Sequence, residues 1–206
     1  MFGFGADMLF SIPGILLALT VHEYAHARAA VSLGDPTPRY AGRLTLNPIP
    51  HLDPIGLIML WLFRFGWAKP VPVNPYNLRN GRRDMLLVSL AGPAANVLLA
   101  LITAVVYTLS AKLHMDSFEW SSIVISTYKY NLMFAVFNLI PLPPLDGSQI
   151  VSSLLPGRQA EMFERIAPYS PFILMGLVYM GVIRTLVNPG MDFLNQIIGF
   201  LVSLIL

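Results

Sequence analysis

The segment HEYAH, residues 22–26, lies inside the apolar run Leu16–Ala30. On a helix, positions four apart share a face, so His22 and His26 can direct two imidazoles at one cation with Glu23 one residue round from the first. That spacing suits hydrolytic zinc chemistry. Zinc takes three protein ligands and an open position for water, and a neighbouring carboxylate can accept the proton that water loses on attacking a carbonyl. His22 and His26 therefore read as metal ligands and Glu23 as a general base. Ionisable groups within an apolar span are costly unless paired or metal-bound, which favours a functional reading. The competing reading is a helix that has left the lipid by His22, with HEYAHARAA lying wet at the interface.

Two histidines do not complete a zinc site. The other two, His51 and His114, fall in a loop and in a short connection. The segment FNLIPLPPLDG offers Asp146, which follows Pro141, Pro143 and Pro144 and precedes Gly147. The prolines strip donors and break the helix, and the glycine lets the chain turn. Irregular backbone at membrane depth is tolerated only where it lines an enclosed or wet cavity, a suitable place for a ligating carboxylate. Counted along helices from Met8 and from Tyr130, His22 and His26 lie ~21 and ~27 Å deep and Asp146 ~24 Å deep, if helical throughout. The alternative is a plain loop with a turn-forming Asp-Gly.

The elements that must position these residues are those of a membrane protein. Of 206 residues, 55% are hydrophobic and 12% charged, with a mean hydropathy of +0.64. Water-soluble domains seldom reach that balance. A hydrocarbon core of ~30 Å needs ~20 apolar residues per helix, and four or five such segments fit. The absence of cysteine removes disulfides, thiolate ligands and thiol nucleophiles. A net charge of +2, from 13 basic and 11 acidic residues, is a near balance that suits topology signals in loops and implies no nucleic-acid partner.

Spans are expected at Met8–Leu33, at Met85–Ser110, from about Tyr130 through the broken PLPPLDG segment to Leu155, and as a terminal pair, Tyr169–Val187 and Met191–Leu206. Lys129 is read as interrupting the start of the third. Ile55–Phe63, too short to cross, reads as a re-entrant or interfacial hairpin within a basic, proline-rich loop, 35–84. The basic residues of that loop place it in the cytoplasm and the N-terminus outside, with the first helix retained because no basic n-region precedes it. The fold class is thus an all-α polytopic membrane protein with a re-entrant, β-like loop region. Residues 1–206 read as one membrane-embedded domain, with a core at about 8–155 and a C-terminal helical pair at about 169–206.

Other residues carry weaker signals. Gly92 and Asn96 share a helical face, where they serve close packing or touch substrate. His51 and Asp53 either cap a short loop or reach toward the metal. In Trp67–Pro75, an extended strand would block one edge with Pro70 and Pro72. Val71 and Val73 would aim main-chain groups at the other, open edge, where an unwound substrate could add as a strand. A polyproline linker is the plain alternative.

The motifs together resemble the site-2 protease family of intramembrane zinc metalloproteases. HEYAH matches its HExxH, and NLIPLPPLDG matches its second motif, with Asn138 eight residues before the ligand aspartate. AGRLTLNPIPHLDPIG, FGWAKPVPVN and SLAGPAAN are similar to a compact prokaryotic branch without a PDZ domain. The resemblance implies a core of three helices, carrying HExxH, AGPAAN and PPLDG, around one zinc ion within the membrane. It implies His22, His26 and Asp146 as ligands, Glu23 as base and Asn138 as a polar group near the scissile peptide. It also implies transmembrane protein or peptide substrates, a prokaryotic cell membrane and an active site toward the cytoplasm. A divalent-metal transporter and a non-catalytic membrane scaffold compete with hydrolysis. Glu23 argues against both, since neither needs a proton acceptor. A serine protease lacks a G-x-S-x-G setting.

Overall fold

A computed structural model describes residues 6–63, 66–115 and 117–206. The stretch 1–5, the start of the N-terminus read above as extracellular, lies outside the described residues. The chain folds as helices α1 (Ala6–Ser32), α2 (Thr37–Tyr40), α3 (Pro54–Phe63), α4 (Arg82–Lys112), α5 (Phe118–Asn138), α6 (Asp146–Leu154), α7 (Gly157–Glu164), α8 (Ser170–Tyr179) and α9 (Val182–Ile205). No strand occurs among the described residues; an antiparallel bridge pairs Leu52 with Ala68.

Helices α1, α4 and α5 pack against one another, α6 lies on α4, and α9 lies on α4 and α5. Small residues set these approaches. A Cβ at Gly14 would stand 2.7 Å from the Thr127 backbone nitrogen, so α1 and α5 cross nearly in backbone contact. Ala18, Ala27, Ala30, Ala100 and Ala135 are fully buried. Beside them are buried polar groups: Thr20, His22, Glu23, His26, Asn96, Thr127 and Asn131. Large apolar side chains lie outside, including Leu17, Leu87, Leu98, Ile102, Phe193 and Phe200. Buried Val88, Leu132 and Ile198 complete the interior, and so many large apolar groups on the outside are unusual for a water-soluble bundle. Among the described residues α4 is the single helix long and apolar enough to cross a membrane; α8 and α9 pass the same test together, bent by 81°.

Helix ends follow local chemistry. The Ser117 hydroxyl accepts from the Trp120 N–H at 3.3 Å to start α5. Asp84 accepts the Asn80 N–H at 2.8 Å at the start of α4, where a carboxylate also meets the positive end of the helix dipole. Asp53 caps α3 by accepting from Ile55 and Gly56 N–H at 2.8 and 2.9 Å.

Four expectations change. Helix α5 runs unbroken through Lys129, because lysine is a good helix former and this one is exposed on the outer side. Residues 139–145 are not helical, so the premise of the depth estimate for Asp146 does not hold. The terminal pair breaks at Gly181, whose φ of 75° is the left-handed conformation glycine adopts without strain, while Pro189 is accommodated inside α9. The loop region read as β-like holds α3, the Leu52–Ala68 bridge and irregular chain.

Candidate active site

Helix α1 places His22 and His26 on one face, and the chain brings Asp146 to them from the first position of α6. His22 Nε2 and His26 Nε2 are 3.0 Å apart, and Asp146 Oδ2 lies 3.1 and 3.3 Å from them. One ligand atom from each of the three residues falls within 4.8 Å of the other two. The break after α5 makes this possible: Gly147 packs so closely on the Leu139 and Ile140 carbonyls that a side chain there would collide with them.

The outer nitrogens fix what the inner ones can do. His26 Nδ1 is 2.8 Å from the Val88 carbonyl, which only accepts, so Nδ1 carries the hydrogen and Nε2 presents a lone pair. His22 Nδ1 faces Asn96 Oδ1 at 2.6 Å, with the same effect. Two bare imidazole nitrogens and a buried carboxylate oxygen with no hydrogen-bond partner therefore point at one another. A cation between them would satisfy all three acceptors, and the set of two imidazoles and one carboxylate suits a divalent transition metal. Gly92 of α4 leaves room for it. A Cβ there would stand 2.6 Å from His22 Cε1 and closer still to His26 Nε2.

Glu23 is 8% exposed, and its Oε2 accepts the Val71 N–H at 3.0 Å. The segment after α3 thus lies against the Glu23 carboxylate, with Val71 and Val73 half-buried and Pro70 and Pro72 exposed. Val71, read above as offering its N–H to an open edge, aims it at Glu23. The Val73 side chain packs on Ala30, Leu78 and Val88.

Two anchors hold this segment. The Arg43 guanidinium donates to the Pro50, Lys69 and Pro70 carbonyls, joining the 48–51 turn to the approach to Val71. Asp35, fully buried just beyond α1, accepts from the Asn74 N–H at 2.7 Å, the Asn77 amide at 2.9 Å, and the Thr37 N–H and hydroxyl at 3.0 and 2.5 Å. Burial opposes its ionisation, but these donors hold the carboxyl below the usual carboxylate range. From the sequence Asp35 reads only as the start of the basic, proline-rich loop 35–84. Nothing local in the sequence marks it, because two of its partners lie about forty residues on.

Chain comparisons follow this geometry. Residues 110–179 match the model described as Peptidase family M50, a stretch that holds Asn138 and Asp146 and leaves HEYAH outside. The Bacillus subtilis protein named "Putative zinc metalloprotease YwhC" is 37% identical over 194 residues, covering 90% of this chain and 89% of that one. The chain belongs to peptidase family M50, the site-2 protease family. "Putative zinc metalloprotease Rip2" of Mycobacterium tuberculosis is 34% identical over 182 residues, covering 85% of this chain and 67% of that one. No solved structure matches the chain significantly.

The remaining residues singled out from the sequence of this M50 member are placed as follows. Asn138 ends α5 and donates to the Phe134 carbonyl at 3.0 Å. His51 is fully buried and its Nε2 donates to the Thr45 carbonyl at 2.9 Å. Asn96 is fully buried beside His22, with its amide spent on protein groups.

Proposed function

We propose that this protein is an intramembrane zinc endopeptidase that hydrolyses peptide bonds in or beside transmembrane segments of membrane-protein substrates. The observation that carries the reading is the convergence of His22 Nε2, His26 Nε2 and Asp146 Oδ2, with Glu23 next to the first of them. Family membership and the zinc metalloprotease names of YwhC and Rip2 support it. The apolar exterior and small, polar interior support a lipid environment, in which α1 and α5, ~40 and ~31 Å long, cross beside α4. The basic residues between α1 and α4 favour the cytoplasmic side of a prokaryotic cell membrane for the site.

His22, His26 and Asp146 would hold one zinc ion, which when bound supplies Lewis-acid polarisation of water and of the scissile carbonyl. Glu23 takes the proton from the attacking water and returns it to the leaving amine, so one carboxylate serves both halves of hydrolysis. Burial keeps Glu23 from bulk water, and the Val71 N–H holds one of its oxygens. Asn138 is assigned to orient the scissile peptide, and the 67–75 segment to receive an unwound substrate along its backbone.

The test uses purified full-length chain with a transmembrane peptide substrate. Asp146→Asn should lose zinc after brief chelation. Glu23→Gln should keep zinc and lose cleavage. A metal transporter or a scaffold would keep its function in Glu23→Gln, so undiminished cleavage by that variant sinks the reading.

A further inference from the structure

We propose that Asn131 on α5 is a positioning residue that sets the imidazole tautomer of His22 through Asn96, and thereby the zinc affinity, without touching the ligand cluster. The inference rests on the zinc reading above. Its basis is directional. Main-chain carbonyls only accept, and they orient two buried amides in series. Asn131 Nδ2 lies 2.8 Å from the Thr127 carbonyl, which turns Asn131 Oδ1 toward Asn96. Asn96 Nδ2 is 2.8 Å from that oxygen and 3.0 Å from the Ala18 carbonyl, so both of its N–H bonds are spent. Asn96 Oδ1 must then face His22 Nδ1, at 2.6 Å.

An acceptor in that place requires hydrogen on His22 Nδ1 and leaves Nε2 bare. If the Asn96 amide were reversed, its NH2 would face Nδ1, the imidazole hydrogen would move to Nε2, and the ligand lone pair would be lost. Asn96 and Asn131 are both 0% exposed, so water cannot take over either bond. The Ala18 carbonyl opposes the reversal, and Asn131 Oδ1 adds the second acceptor that holds the amide. Asn131 thus reaches across α5, α4 and α1 by hydrogen-bond direction alone.

The experiment is a double-mutant cycle on the purified full-length chain, reading zinc Kd by chelator competition and the His22 tautomer by 15N NMR of the metal-free protein at alkaline pH. Asn131→Leu should weaken zinc about 10–100-fold and populate the Nε2–H tautomer. In an Asn96→Leu background no amide remains to relay direction to His22 Nδ1, so adding Asn131→Leu should change Kd by less than about threefold. Equal losses in both backgrounds would make Asn131 a packing residue and overturn the proposal, as would no loss in either. Should Asn131→Leu fail to fold, Asn131→Asp keeps the acceptor and is expected to keep the wild-type tautomer and affinity; a switched tautomer there overturns it. A wild-type chain that binds no zinc refutes the zinc reading instead, and the tautomer measurement still decides whether Asn131 governs His22.

Discussion

The main-chain N–H of Val71 donates to the Glu23 carboxylate at 3.0 Å, joining two residues on segments far apart in the chain. A piece of irregular backbone is therefore fixed on the carboxylate proposed to handle the proton. If substrate lies along the 67–75 segment as proposed, the backbone that receives it is the one that holds the Glu23 carboxylate. Val71→Pro removes this donor while staying apolar. A hydrogen bond to a charged group contributes about 1.5–3 kcal/mol, so cleavage should fall about ten- to a hundredfold with zinc content unchanged. Full turnover in purified Val71→Pro would detach this segment from catalysis.

Glu23→Gln keeps the shape of the site and removes the proposed proton acceptor. Turnover of a transmembrane peptide should drop by about 10²–10⁴-fold while bound zinc, measured by mass spectrometry, stays at the wild-type level.

Gly92→Ala separates helix stability from metal binding. Alanine is a better helix former than glycine by about 1 kcal/mol, yet its methyl would press on both imidazoles. The variant should fold, with a melting temperature in chelator close to wild type, and should fail to retain zinc. Normal zinc retention would show that α4 does not bound the site as described.

Asp35 offers a test by pH. Its carboxyl is held below the usual range, so its stabilisation is fully present above the unfolded-state value and is lost as pH falls through the lower, folded-state value. Unfolding below about pH 4 should therefore be less steep in Asp35→Asn than in wild type. Near neutrality Asp35→Ala should cost at least ~2 kcal/mol, because buried donors lose their acceptor, and should speed amide exchange at Val71–Leu78. Unchanged exchange there would mean that Asp35 does not anchor the segment.

The convergence of His22, His26 and Asp146 was legible in the sequence because it is written in residue types: two histidines four apart and an aspartate set apart by prolines. The order of helices was legible from apolar runs. What holds the site was not. Asp35, Asn96 and Asn131 act through partners distant in the chain, and an asparagine on an apolar helix looks the same whether it orients an imidazole or merely packs. Lys129 misled because its charge was read without its position on the helix, where it points outward from α5. The bend at Gly181 was missed for a related reason: Pro189 and Gly190 look the stronger breaker, but Gly190 packs closely on Val136 within an unbroken α9.

The ligand cluster also sets an order of events during synthesis. His22 and His26 are made before Asp146, which follows only after all of α4 and α5. Two imidazoles without the carboxylate, and without the α4 carbonyl and amide that orient them, form a poor metal trap. The three-residue cluster is therefore complete only once α1, α4, α5 and the start of α6 have all been made, and a chain stopped short of α6 carries its two histidines without the carboxylate that converges on them.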